Sequence, residues 1–270
     1  MTIARRDGAA PAEARPPSED ALNGVGTTPL LDGKVVILTG ATGGIGTSIA
    51  EMLAAAGARL ALVDLAEERV ASLARDLDAL GEAVDVSSTA AFAGFHRRVE
   101  SELGPIDGLV NCAGLWAPLP YEEIDDEAWA ATIAGNLGTA FAACRTVLPG
   151  MSKRGSGSVV NFASTAGEYG SITPAAHYAA AKGGVVALTK SLAREVSPTG
   201  VRVNAVSPGP VDTVALGAAT PEQKAAAGAR TLFNRLGRPH EIAGACVFLL
   251  SPLSTFVTGT VLQVNGGSLL

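Results

Sequence analysis

Tyr178-Ala179-Ala180-Ala181-Lys182 sets a phenol and an ammonium four residues apart, so that on a helix both side chains project from one face. With three tyrosines and five lysines in 270 residues, chance gives roughly 0.06 such pairs, so the spacing is moderately specific. A phenol titrates near 10 and is too weak an acid to exchange protons readily at neutral pH; a neighbouring ammonium stabilises its phenolate. Lowering it by about three units takes about 4 kcal/mol, which Lys182 together with a further bound cation is expected to supply. The chemistry implied is proton transfer to and from an oxygen.

A second constellation is Thr39-Gly40-Ala41-Thr42-Gly43-Gly44-Ile45-Gly46, between an apolar run and an amphipathic stretch. Glycines permit a tight turn and let backbone N–H groups approach a pyrophosphate at the positive end of the following helix. Asp64 follows about twenty residues later, at the end of the next apolar run, where a carboxylate accepts both ribose hydroxyls of an adenosine and repels a 2′-phosphate. No arginine or lysine lies in the glycine turn or directly after Asp64, so NAD is expected over NADP, with Leu65 beside the adenosine. At an effective dielectric near 20, one like-charge contact at 4 Å costs about 4 kcal/mol. Asp85 and Val86 are placed to meet the adenine edge, although a capping role for Asp85 is open. In Asn111-Cys112-Ala113-Gly114, small residues let the backbone lie against a cofactor ribose.

The elements that must hold these groups alternate in kind. Apolar runs at Val35–Leu38, Leu60–Val63, Ala83–Val86, Ile106–Asn111, Ser158–Phe162, Val201–Val206 and Val261–Val264 read as strands. Stretches of helical period separate them: Ile45–Ala56, Glu67–Leu80, Thr89–Leu103, Asp126–Met151, Ala175–Val196 and Glu241–Leu250. The alternation predicts an α/β fold: one Rossmann-like, doubly wound parallel sheet of about seven strands, with helices on both faces and no second domain. Ligands of such a sheet bind outside the carboxyl ends of its strands, where the motifs above fall. Pro149 is expected to end or kink its helix. Residues 1–28, rich in alanine and proline without a period, are expected to form a disordered tail. The long connection Val211–Arg235 is expected to be a lid over the substrate.

Composition excludes several other classes. The net charge of −6 without a Lys/Arg run argues against nucleic acid or an anionic membrane as partner. No run of apolar residues is long enough for a membrane span, and Asp7, Gly8 and Pro11 stand after Arg5-Arg6 where an export signal needs hydrophobic residues. Cys112, Cys144 and Cys246 form an odd set without a C-x-x-C pair, as expected of reduced thiols in a cytoplasmic enzyme. His96, His177 and His240 are scattered, so no metal site is expected. A serine hydrolase is excluded because no G-x-S-x-G elbow occurs.

Taken in order, these motifs resemble the short-chain dehydrogenase/reductases from about Leu31 to Ser268. The T-G-x-x-x-G-x-G turn is Thr39 to Gly46, N-N-A-G appears as Asn111 to Gly114, and the helix asparagine is Asn136. The serine motif is Ala163-Ser164-Thr165-Ala166-Gly167, Y-x-x-x-K is Tyr178 to Lys182, and P-G is Pro208-Gly209, with Val211 and Thr213 following. The resemblance implies that Tyr178 is the general acid/base, that Ser164 hydrogen-bonds the substrate oxygen, and that Lys182 holds the nicotinamide ribose. It further implies that Asn136 anchors a water continuing the proton relay, and that Pro208, Gly209, Val211 and Thr213 flank the coenzyme. Three departures stand out. Ser164 lies fourteen residues before Tyr178, one more than is usual, and Thr165 sits at the common spacing. Cys112 replaces an asparagine, and Asn265 replaces the aspartate of the final V-D-G-G.

The expected activity is NAD-dependent interconversion of a secondary alcohol and a ketone. The alternatives are an NADPH-dependent carbonyl reductase of the same fold and a catalytically silent nucleotide-binding scaffold. Leu115, Trp116, Pro118, Tyr169 and Ser171 are expected to line the substrate pocket with Ser164 and Tyr178. The alanine-rich lid implies an apolar, uncharged substrate. Ala176, Ala180, Gly183, Gly184 and Ala187 form a small-residue helix surface where a second copy could approach, and the resemblance implies a homotetramer.

Overall fold

The computed structural model describes residues 29–213 and 219–268. The expected tail, 1–28, lies outside the described residues. Seven strands form one parallel sheet: β1 (Val35–Thr39), β2 (Arg59–Asp64), β3 (Leu80–Ala83), β4 (Gly108–Asn111), β5 (Gly157–Phe162), β6 (Val201–Pro208) and β7 (Val261–Val264). Their order is β3-β2-β1-β4-β5-β6-β7, every pair parallel. The chain therefore winds outward in one direction to β3 and returns to the middle at β4. That reversal opens a crevice where β1 and β4 lie side by side, with Thr39 opposite Asn111.

The strands are buried on both faces, which is why they read as continuous apolar runs. Val36, Leu38, Leu60 and Leu62 face one layer, formed by α1 (Gly44–Ala55), α2 (Glu67–Asp76) and α9 (Pro239–Leu250). Val35, Ile37, Leu109 and Val203 face the other, where Phe92 and Phe95 of α3 (Thr89–Glu102) pack with Val147 and Met151 of α5 (Thr139–Arg154). Ala193 of α7 (Ala176–Val196) closes that layer. Two buried cores thus hold the sheet rigid, and its carboxyl edge is free to carry loops.

Several elements differ from the sequence expectation. The second helix stops at Asp76, because Asp78 takes a left-handed φ of 51°, and β3 begins at Leu80, three residues before the expected start. The single helix expected over Asp126–Met151 is α4 (Asp126–Ile133), a π-helical turn at Ala134–Gly138, and α5. Pro149 does not end α5; the helix runs to Arg154 and stops at Gly155, whose φ of 74° suits only glycine well. Two short helices were not expected. α6 (Thr165–Tyr169) follows β5, and α8 (Pro221–Gly228) occupies part of the presumed lid. The start of α8 is a capping box: Thr220 Oγ1 accepts from Gln223 N at 3.3 Å, and Gln223 Oε1 from Thr220 N at 2.9 Å. Residues 214–218 of that connection lie outside the described residues.

Candidate active site

Above the β1–β4 crevice lies a cavity of about 890 Å³. At one end its wall is the turn after β1. Gly40 has a φ of 67°, and a Cβ there would stand 2.7 Å from Ala113 Cα; a Cβ on Gly46 would stand 2.0 Å from Gly40 O. The glycines are therefore required by the close fit of turn, helix and β4 loop. Thr39 Oγ1 accepts from Ala113 N at 3.2 Å and ties the two loops together. No side chain caps α1, which begins at Gly44. Its first N–H groups have no acceptor within the helix, and Gly43, Gly44, Ile45 and Gly46 border the cavity.

Asp64 closes this end. Its Oδ2 accepts from Thr42 N at 2.9 Å and its Oδ1 from Leu65 N at 2.7 Å. Arg69, on α2, reaches back so that Nη2 donates to Thr42 Oγ1 at 2.8 Å, and it borders the cavity with Asp64 and Leu65. The expectation of no basic group here holds in sequence and fails in space, because one helical turn brings Arg69 round to the glycine turn. Asp85 and Val86 also border the cavity. Asp85 Oδ1 accepts from Ser87 N at 2.9 Å and Ser87 Oγ at 2.6 Å, and these bonds hold its carboxyl below the usual range. The cap of α3 is Ser88.

The other end gathers the proton-transfer groups. Ser164 caps α6, its Oγ accepting from Ala166 N at 3.2 Å. Gly167 lets α6 sit directly on α7, since a Cβ there would come 2.4 Å from Lys182 C. This contact brings Ser164 and Thr165 to the same wall as Tyr178. Lys182 is buried, its Nζ donating to Phe162 O at 2.8 Å and standing 5.7 Å from the centre of the Tyr178 ring. Burial pulls the ammonium down to about 8. Burial pushes the Tyr178 phenol above its ordinary value, and the hydrogen bond with Ser164 pulls it back. The lowered phenol expected from the sequence is not a property of the protein alone, because desolvation disfavours the phenolate more than the neighbours favour it.

The π-helical turn explains Asn136. It rotates the side chain inward, so that Nδ2 donates to Leu115 O and Thr132 O, both at 2.9 Å, while the buried Oδ1 has no partner. A Cβ at Gly114 would lie 2.8 Å from that Oδ1 and 3.4 Å from Lys182 Nζ, so Gly114 stands between them. An unpartnered buried acceptor beside an ammonium is a place for a bridging group.

Of the residues singled out in the sequence, the cavity wall brings together Gly40, Gly43 to Gly46, Asp64, Leu65, Asp85, Val86, Ala113, Gly114, Trp116, Asn136, Ser164, Tyr178, Lys182, Pro208, Gly209, Val211 and Thr213. Four of the residues expected at the site are not on this wall. Thr42 is joined to two residues of the wall, its N–H donating to Asp64 and its Oγ1 accepting from Arg69. Asn111 is a buried tie beneath it, with Nδ2 donating to Asn161 Oδ1 at 2.9 Å. Tyr169 points the other way, its hydroxyl accepting from Gln263 Nε2 at 3.2 Å, because α6 turns it toward β7. Pro118 is also absent from the wall, where Ile172 and Thr173 take part instead. Arg69, Ile172 and Arg230 border the cavity without any sequence signal, since each arrives from a loop or helix set by tertiary packing. Part of the small-residue surface of α7 is spent internally: Gly183 faces Gly167 O at 3.2 Å and Gly184 faces Leu137 at 2.7 Å, each measured from an added Cβ. Ala176, Ala180 and Ala187 remain exposed. Among the described residues no group of His, Cys, Asp and Glu could hold a metal, and no helix is long and apolar enough to cross a membrane.

The residues fit a nicotinamide dinucleotide: an uncapped helix start for a pyrophosphate, a carboxylate for a ribose, and an unsatisfied Asn136 Oδ1 beside Lys182 at the far end. Comparison with known proteins agrees. The family described as enoyl-(acyl carrier protein) reductase matches residues 40–268. A 3-oxoacyl-[acyl-carrier-protein] reductase of Vibrio cholerae serotype O1 is 39% identical over 88% of this chain and 98% of its own. A 2-(S)-hydroxypropyl-CoM dehydrogenase of Xanthobacter autotrophicus is 38% identical over 88% and 97%. A crystal structure named as ribose-5-phosphate isomerase from Brucella melitensis 16M superposes with a TM-score of 0.86 at 33% identity, covering 90% of this chain and 95% of that one.

Proposed function

The chain belongs to the short-chain dehydrogenase/reductase family, and on that premise we propose that it interconverts a ketone and a secondary alcohol through Tyr178, Ser164, Lys182 and Asn136. It is an NAD(P)-dependent oxidoreductase of carbonyl or alcohol substrates. The observation that carries the finer reading is the single wall on which Tyr178 and Ser164 stand, with Lys182 and the unpartnered Asn136 Oδ1 behind them.

When bound, the dinucleotide supplies or accepts the hydride. In reduction, the Tyr178 hydroxyl gives its proton to the carbonyl oxygen, which the Ser164 hydroxyl also holds; in oxidation Tyr178 takes that proton from the alcohol. Lys182 stays charged below about 8, the condition under which it stabilises the phenolate and hydrogen-bonds a ribose. Asn136 Oδ1 holds the water through which the proton leaves.

The reductase alternative has more support from the relatives than the dehydrogenase reading, since the more similar of the two relatives is named as a reductase. Asp64, with its carboxylate fixed by backbone N–H groups at the cavity edge, favours NAD(H) as coenzyme. Leu115, Trp116 and Ile172 give the substrate end an apolar wall, which supports an uncharged substrate. The exposed Ala176, Ala180 and Ala187 leave α7 a surface for a homotetramer, and the reduced thiols fit a cytoplasmic location. The deciding experiment is a panel of ketones and alcohols with NAD(H) and NADP(H), followed by coenzyme absorbance. Reduction of simple ketones, lost in Tyr178→Phe, is the expected result; binding of dinucleotide without turnover of any carbonyl or alcohol supports the silent scaffold instead.

A further inference from the structure

The helix α6 has five residues, and a helix that short does not hold its own shape in water. It nevertheless begins at Ser164, so whatever holds α6 also fixes where the Ser164 hydroxyl stands. Its middle rests on α7, where Gly167 leaves no room for a Cβ against Lys182. Its far end is held by a single side chain of the last strand. Gln263 Nε2 donates to Glu168 Oε2 at 3.1 Å and to the Tyr169 hydroxyl at 3.2 Å. An amide nitrogen carries two N–H groups, and these two bonds use them on consecutive residues of α6.

Glu168 shows that the grip is more than packing. Its Oε1 is buried and has no partner among the described residues. A buried, unpartnered carboxylate oxygen costs stability that an apolar side chain of similar size would not. Ser207 stands beside Gln263 in the register of β6 and β7, yet its buried Oγ bonds to neither residue, so the hold on Glu168 rests on Gln263. Glu168 follows Ser164 by four residues, about one helical turn, so a rotation of α6 about its axis moves both together.

Resting on the reading of Ser164 as the group that holds the substrate oxygen, we propose that Gln263 is a positioning residue for Ser164. By gripping Glu168 and Tyr169 it fixes the rotation of α6, and with it the place of the serine hydroxyl at the cavity wall. Gln263 itself does not border that cavity, and it acts on Glu168 across 95 residues of sequence.

Steady-state turnover of the full chain with NADH and the simple ketone that wild type reduces fastest, beside NADH titration and thermal unfolding, tests this. Gln263→Leu removes both N–H groups at similar volume. It is expected to lower kcat by about tenfold while ketone KM and NADH affinity stay within about threefold, because the lost interaction serves the transition state. The decisive comparison is made in Ser164→Ala. If Gln263 acts through the serine, Gln263→Leu should lower the remaining turnover of Ser164→Ala by less than about twofold. Gln263→Glu keeps the shape but sets a carboxylate against Glu168, and its turnover should fall as well. Adding Glu168→Gln exchanges donor and acceptor and should bring turnover back to within about threefold of wild type. A loss of about tenfold that persists in the Ser164→Ala background, or a parallel loss of NADH affinity, would show that Gln263 only braces the fold and would overturn the proposal. Unchanged kcat in Gln263→Leu would overturn it too. Should Gln263→Leu fail to fold, the exchanged pair decides: no recovery on adding Glu168→Gln to Gln263→Glu overturns the proposal. Wild type without turnover of any ketone or alcohol would overturn the reading of Ser164 itself, and the proposal with it.

Discussion

The two ends of the cavity are built by different means. At the end proposed for the coenzyme, the wall is set by backbone: a left-handed Gly40, an uncapped α1 and a carboxylate pinned by three backbone N–H groups, all within about one β-α-β unit. At the end proposed for the substrate it is set by side chains from the loop after β5, α6, α7 and the π-helical turn, elements separated along the chain and joined by packing. Backbone recognition is stiff and tolerates little change of shape. Side-chain recognition can alter its chemistry by one atom while the fold stands.

Tyr178→Phe exploits that difference most sharply. Removing one oxygen should cut turnover by at least about 10²–10⁴-fold, the range of positioned acid–base groups, while NADH titration stays close to wild type. Retention of more than about a tenth of the activity would mean that the substrate end does not work through the phenol.

Lys182→Met probes the cost of placing charge in that end. In the folded protein the ammonium titrates at about 8, against an ordinary value of 10.5, so between these limits the unfolded chain holds more protons and stability rises with pH. Below about 8 the folded state carries the full penalty of a buried charge. At pH 7 the methionine variant should therefore be more stable, by about 3 kcal/mol for a shift of this size, with the difference shrinking toward pH 10.5. Urea unfolding at several pH values measures it, and a pH-independent difference would contradict the assignment. Activity should be lost in the same variant, because stability and function pull this residue in opposite directions.

At the coenzyme end Asp64→Ala should shift the ratio of NAD to NADP affinity toward NADP by about 10²-fold, since it removes both a ribose contact and a like charge. A ratio that does not move would place the adenosine elsewhere. The smallest effect is expected at Trp116, half exposed at 44% on the substrate wall. Trp116→Ala should raise KM for bulky ketones by up to about tenfold with little change in kcat, as expected of uniform binding. A fall in kcat of similar size would show instead that Trp116 positions the reacting carbon.

The difference between the ends also explains what the amino-acid order disclosed. The sheet, the glycine turn and the Tyr178–Lys182 pair rest on local periodicity and spacing, and the structure keeps them with shifts of a few residues. The start of β3 escaped because Leu80-Gly81-Glu82-Ala83 lacks an apolar run; it forms a strand by pairing with β2. The π-helical turn escaped because Ala134-Gly135-Asn136-Leu137-Gly138 has no marker separating it from an α-helix, although the resemblance pointed to Asn136. Tyr169 was misplaced because the five-residue α6 rotates it away from Ser164. Arg69 carries no local signal because its partner, Thr42, lies 27 residues earlier, in the turn that follows the neighbouring strand β1.

One bond at Ser164 carries a consequence for what the protein can hold. One lone pair of Oγ accepts from Ala166 N at the start of α6, which leaves the hydroxyl hydrogen and a single lone pair for the cavity. A hydroxyl ordinarily offers two acceptor sites and one donor; this one has lost an acceptor site to a helix cap. In the proposed reaction its hydrogen meets a carbonyl oxygen or an alkoxide, and an N–H group would find one acceptor site where an uncapped serine offers two. Molecules of the right shape that present a hydrogen in place of an oxygen at that point would be held less well because of a helix cap, a bias that no change in the size of the pocket would reproduce.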